Sequence, residues 1–205
     1  MRKLVSAIAI MVISVVAFSG CGDGLKGESF SVDSLEGSYQ IQSECTAEFD
    51  GVEATLDGCV LEDLFGYPPI TVETGTVVFQ EETITVDAST YYEVDSPCYG
   101  DVRADIAVSG ELTKTEGDET GGPFSALAGK WSGTLEAAES APPYELIDGA
   151  PADCEPFEGD EVTHSTDVQA HVMGDTMEVT TSEGQFSIIS GEDEITVDGT
   201  TYQKQ

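Results

Sequence analysis

The sequence predicts an all-β protein, an antiparallel meander that forms either one β-barrel or two fused small barrel or sandwich units. Apolar and polar residues alternate with a period of two, as in "DVRADIAV" at 101–108, which is typical of half-buried antiparallel strands. Glycine and aspartate interrupt these runs at short intervals, as they do in turns. No long window shows the period of an amphipathic helix.

Residues 1–20 have the layout of a secretory signal peptide. Arg2 and Lys3 give a positive start, and residues 4–18 carry no charge. A membrane-spanning helix needs about 20 apolar residues, so this stretch is short for a permanent span. We therefore expect it to direct export and then to be removed.

The tetrapeptide "FSGC" at 18–21 resembles the lipobox of bacterial lipoproteins, with Phe18 where leucine is usual. The resemblance implies that Cys21 is lipidated and becomes the first residue of the mature chain. Several acyl chains on one residue hold a protein stably on a bilayer. Gly22 follows, rather than the aspartate that favours inner-membrane retention in that family, so we expect an outer membrane. The alternatives are an ordinary secreted protein and an uncleaved anchor.

The mature chain divides into a tether and two β units. Residues 21–34 are rich in glycine and serine and predict a flexible tether. The first unit spans 35–117, a linker 118–126, and the second unit 127–205. "LEGSY" and "ITVDASTY" in the first unit are similar to "LAGKW" and "ITVDGTTY" in the second, which suggests a duplication. The units either fold separately or share one core.

The charge of the chain restricts its partners. It has 7 basic and 40 acidic side chains, and removal of residues 1–20 would leave Arg103 as the only arginine. Nucleic acid is excluded as a partner, because phosphates require clustered basic residues. The membrane, through the lipid, and a neutral or cationic protein fit this charge. We expect no cofactor. Weak calcium binding by surface carboxylates is an alternative, although the chain has no dedicated calcium loop.

The cysteines also indicate export. With Cys21 assigned to the lipid, four cysteines remain, and an even number in an oxidising compartment predicts two disulfides. Four cysteines allow three connectivities. Their spacing favours a local bridge between Cys45 and Cys59 and a long-range bridge between Cys98 and Cys154.

"LAGKW" at 127–131 resembles the opening strand of lipocalins, where an arginine from a late strand packs over the tryptophan. No arginine follows Trp131 here. We therefore expect Trp131 to be a core or barrel-plug aromatic rather than a ligand-stacking residue.

The chain offers no catalytic motif. His164 and His171 are seven residues apart, so on one strand they face opposite sides and cannot share a metal ion. No Gly-x-Ser-x-Gly or phosphate-binding loop is present. We predict no catalytic residue and no metal site, and a non-enzymatic, lipid-anchored envelope lipoprotein that displays an acidic β domain for binding or structural roles.

Two other functions remain open. A lipocalin-like carrier of a small apolar ligand would need a cavity lined by inward residues such as Val102, Ile106, Val168 and Phe186. A periplasmic hydrolase would need His164 or His171 within hydrogen-bond reach of a buried acid and a serine.

Overall fold

The computed structural model describes residues 37–42, 45–56, 58–61, 69–118, 121–122, 124–182, 184–190, 194–197 and 200–203. The all-β antiparallel prediction is confirmed. The strands are β1 (Gly37–Gln42), β2 (Cys45–Phe49), β3 (Glu53–Leu56), β4 (Cys59–Leu61), β5 (Ile70–Phe79), β6 (Thr83–Ser96), β7 (Gly100–Gly117), β8 (Gly129–Ala141), β9 (Asp160–Met173), β10 (Thr176–Thr181), β11 (Gly184–Ser190), β12 (Glu194–Val197) and β13 (Thr200–Gln203).

The strands form one continuous meander sheet. Each strand pairs with the next along the chain, except that β3 pairs with β5, and β4 lies beside β5 off this path. β7 and β8 pair from Asp105 opposite Ser140 to Gly117 opposite Gly129. Because these two strands flank the predicted linker 118–126, the predicted units 35–117 and 127–205 are joined in a single sheet.

One face of the sheet encloses a single core. In β7 the buried positions Ala104, Ile106 and Val108 alternate with more exposed ones, as the period-two pattern predicts. Most of the buried apolar residues of β2 through β11 belong to one cluster, and β1 and β13 lie side by side. The sheet is therefore strongly curved, although no ladder joins β1 to β13 among the described strands.

One end of the sheet is closed by a short 3₁₀ helix, Ser125–Leu127. Phe124 and Leu127 are fully buried there, and the indole Nε1 of Trp131 donates a hydrogen bond of 2.8 Å to the Leu127 carbonyl oxygen. The Lys114 ammonium lies 5.3 Å from the centre of the Trp131 ring. Trp131 is thus a core aromatic that packs under the 3₁₀ helix. We call this end of the sheet the closed end. A lysine of the preceding strand, not an arginine of a later one, covers the ring.

Every helical segment in the described part of the chain is too short or too polar to cross a bilayer. The predicted signal peptide 1–20, Cys21 and the predicted tether 21–34 lie outside the described residues.

The turn between β2 and β3 contains a hydrogen-bonded carboxylate that should make the stability of the protein depend on pH in acid. The Asp50 carboxylate accepts hydrogen bonds from the backbone amides of Glu53 and Val52, at 2.8 and 3.0 Å, and these bonds lower the pKa of Asp50. Because the folded-state pKa lies below the unfolded value of about 3.9, the contribution to stability is complete above that pH. It is lost as the pH falls through the folded-state pKa.

We expect Asp50→Ala to lower the free energy of unfolding by about 1 kcal/mol at pH 7. The difference from the wild type should shrink below about pH 4. Urea unfolding followed by circular dichroism between pH 2 and 7 measures it. Asp153→Ala, which removes the same charge from an exposed loop, controls for net charge. A difference that persists unchanged at the lowest pH would contradict the assignment.

Candidate functional site

A cleft opens at the end of the sheet opposite Trp131. It has a volume of about 290 Å³ and is lined by the inner faces of β6 to β9 and by the segment 142–159. Across the sheet Tyr92 lies opposite Ala104 and Ala141 lies opposite Asp160. The two alanines form a floor with little volume, so the cleft exists because small side chains occupy the middle of this row. We call this the open end.

The proline pair Pro142-Pro143 ends β8 at the floor of the cleft. In the register of β7 and β8, Pro142 would stand opposite Arg103, but proline has no N–H to donate to the ladder. The Tyr144 hydroxyl takes the place of the backbone groups that a continued β8 would offer to Arg103. It accepts a hydrogen bond of 2.7 Å from the Arg103 amide and donates one of 2.5 Å to the Arg103 carbonyl oxygen. The backbone of β7 is thus satisfied while the chain turns away over the cleft.

The segment 142–159 is fastened to the turn between β6 and β7. A disulfide joins Cys98 to Cys154, the Ile147 amide donates to the Cys98 carbonyl oxygen at 3.0 Å, and the Tyr99 hydroxyl donates to the Glu155 carbonyl oxygen at 2.6 Å. These bonds hold one wall of the cleft in place.

Three aromatic rings form that wall. Tyr99, Tyr144 and Phe157 pack against one another with ring centres 6.1 to 6.4 Å apart. Tyr92 adds a fourth ring from β6, on the sheet side of the cleft. Four of the twelve lining residues are therefore aromatic, which suits the face of a small organic molecule.

The cleft contains a carboxylate on the inner face of the sheet. Glu139 lies between Ile106 and Val162 in the register of β7, β8 and β9, and its Oε1 accepts a hydrogen bond of 2.8 Å from the Tyr92 hydroxyl. Ionised carboxylates offer about four acceptor sites. Asp160 is a second acid that lines the cleft. The polar side of the site is thus acidic.

The only arginine beside the cleft points away from it. The Arg103 guanidinium lies over the outer-face Tyr91, 3.6 Å from the ring centre, and contacts Glu73 at 3.0 Å and Asp105 at 2.6 Å. The hydrogen bonds that the guanidinium donates to the Asp105 and Glu73 carboxylates raise the pKa of Arg103. Its charge is therefore balanced on the outer face, and only its backbone contributes to the site.

The structure places the predicted site residues as follows. Cys45 is bonded to Cys59, and Cys98 to Cys154, the two pairs that the spacing favours. Only the second pair holds a wall of the cleft. Two disulfides fit an oxidising, exported environment. Cys21 lies outside the described residues.

The histidines face opposite sides of β9, but neither lines the cleft. Nε2 of His164 is buried and has no hydrogen-bond partner among the described residues. Among those residues, no three carboxylate, histidine or cysteine side chains are grouped so that they could hold a metal ion.

The residues expected to line the cavity of a lipocalin-like carrier are divided between the core and the cleft. Ile106 and Val168 are buried in the packed core, whereas Val102 lines the cleft at the open end. The Phe186 side chain lies outside the described part of the structure. Of these residues, Val102 therefore lines space at the open end, whereas Ile106 and Val168 pack into the core.

Sequence reasoning missed Glu139, Tyr92 and the aromatic wall. The signal for Glu139 was nonetheless present, because it shares the parity of the buried β8 residues Trp131, Leu135 and Ala137. An acid in an apolar row is costly to bury without a partner. Such a residue is a candidate for function.

Comparisons with protein-family models, with curated proteins and with solved structures found no match to this chain. The candidate site therefore rests on its own geometry.

Proposed function

We propose that this protein is a lipid-anchored, non-enzymatic envelope lipoprotein that binds a small molecule in its open-end cleft. The supporting observation is the cleft itself, with its rigid aromatic wall and small-residue floor. An apolar cavity of about 150 Å³ holds benzene, so about 290 Å³ accommodates a molecule larger than one ring. This combines the predicted lipoprotein with the carrier alternative, and moves the ligand from the core to the mouth of the sheet.

In this proposal each part has a physical role. The lipid on Cys21 holds the protein on a membrane, with the outer membrane favoured over the inner one. The tether 21–34 separates the β domain from the bilayer by about 20 Å. The acidic surface repels other anions and keeps the domain in solution, and the disulfide at Cys98 holds the binding wall in place.

The neutral fluorescent probe phenylnaphthylamine, which brightens when it leaves water, tests the binding role. Ala141→Leu adds volume to the cleft floor and should weaken probe binding by about tenfold or more, because the space for the ligand is filled. Ala138→Leu makes the same change on the same strand and on the opposite face of the sheet, and should bind like the wild type. Equal binding by the two variants, or no binding by the wild type, would contradict the proposal.

Labelling cells with a radioactive fatty acid tests the anchor. The wild type should incorporate label, and Cys21→Ala should not, because the thiol that receives the lipid is gone. An unlabelled wild type would refute the anchor and leave the binding role to the probe experiment.

A further inference from the structure

Acidic side chains far outnumber basic ones in the elements around the open-end cleft. Acids stand on every element that frames it, for example Glu93, Asp95, Asp101, Glu145, Glu155 and Glu161. In residues 83–106 and 139–164, which contain these elements, the only lysine or arginine is Arg103, and its guanidinium is paired on the outer face. The cleft therefore has a negative potential that attracts cations and repels anions.

Glu139 brings this charge inside the cleft. It is half-buried in a row that also contains Ile106 and Val162, and the Tyr92 hydroxyl occupies one of its acceptor sites. A carboxylate in such surroundings is stabilised by an opposite charge more strongly than one in open solvent. A bound cation would supply that charge.

The remaining lining distinguishes between kinds of cation. Hard inorganic cations such as calcium prefer six to eight oxygen ligands, whereas four aromatic rings line this cleft beside two carboxylates. Tyrosine and phenylalanine faces attract organic ammonium groups by cation–π interaction. Aromatic rings beside a carboxylate are therefore a suitable site for an alkylated ammonium.

Resting on the proposed binding function, we infer that the ligand is a small organic cation, an alkylated ammonium, with Glu139 as its counter-ion and the rings of Tyr92, Tyr144 and Phe157 as its apolar contacts. Three observations support this inference together. Glu139 lies on the inner face of the sheet, aromatic rings form one wall of the cleft, and acidic residues surround its mouth. Asp160, on the far side of the floor, adds to the field without a hydrogen bond from Tyr92.

Choline and dimethylbutanol, in which carbon replaces the charged nitrogen, test the inference as a matched pair of probes. Titration calorimetry at about 0.15 M salt, where the Debye length is about 8 Å, suppresses the diffuse attraction of the distant acids. Choline should bind the wild type at least tenfold more tightly than dimethylbutanol does. Equal affinities would overturn the ammonium assignment.

Glu139→Gln keeps the shape of the side chain and a hydrogen-bonding group beside Tyr92 but removes the charge. It should weaken choline binding by about tenfold and leave dimethylbutanol binding unchanged, whereas a misfolded variant would lose both. Glu136→Gln removes the same charge from the exposed outer face of β8 and should bind choline like the wild type. Equal losses in the two variants would show that net charge, not Glu139, attracts the cation, and would overturn the inference.

These outcomes separate the two proposals. If phenylnaphthylamine binds in the cleft while choline does not bind, the ammonium inference fails and the binding function stands. If phenylnaphthylamine binding does not depend on the cleft floor, the proposed function fails whatever choline does.

Discussion

Trp131→Ala is expected to lower the free energy of unfolding by about 3–5 kcal/mol, the usual cost of removing a large aromatic side chain from a core. The ring is 1% exposed, lies under the 3₁₀ helix Ser125–Leu127, and donates its indole N–H to Leu127. Its loss leaves a cavity and an unpaired carbonyl at the closed end. The cavity and the unpaired carbonyl both lower the free energy of unfolding.

Urea unfolding followed by far-ultraviolet circular dichroism measures this change, because Trp131 is the only tryptophan and its fluorescence disappears with the substitution. Met173→Ala, at an exposed position, should cost less than about 0.5 kcal/mol. A loss below about 1 kcal/mol for Trp131→Ala would show that the closed end is not packed as described.

The double substitution Cys98→Ala with Cys154→Ala is expected to have a similarly large effect on stability and an additional one on binding. The bridge spans 56 residues, and loop-closure entropy predicts a stabilisation of about 4 kcal/mol. The same bridge holds the aromatic wall of the cleft. Its removal should therefore also weaken phenylnaphthylamine binding.

Cys45→Ala with Cys59→Ala is the matched comparison. That bridge spans 14 residues, is worth about 3 kcal/mol by the same relation, and does not line the cleft. Urea unfolding and probe titration should show lower stability with probe binding retained. If both double variants bind the probe like the wild type, the long-range bridge does not hold the binding wall.

The strands could be predicted from the sequence because each follows a local rule. The alternation of Ala104, Ile106 and Val108 with polar neighbours marks the inner face of β7 wherever β7 lies in the fold. The cysteine pairs were favoured by spacing alone, since a short separation suits a hairpin. These features need no knowledge of which strand stands beside which.

The cleft could not be predicted because it depends on register and curvature. Ala104 and Ala141 form a floor only when β7 and β8 are paired in the observed register. The Tyr144 hydroxyl bonds the backbone of Arg103 only because Pro142 falls opposite Arg103. These two residues are 39 positions apart in the chain. That one end of the sheet is closed and the other open likewise depends on how the whole sheet curves, which no local pattern gives.

An amide nuclear magnetic resonance titration of the purified protein with choline tests most directly whether the open-end cleft is the binding site. The proposal predicts saturable chemical-shift changes at Tyr92, Glu139 and Asp160, with no change around Trp131 at the closed end. In Glu139→Gln the same changes should require about tenfold more choline to saturate, which would support the counter-ion role. Changes that fail to saturate and that spread over the acidic outer face would contradict binding in the cleft. They would show that choline is attracted to surface charge instead.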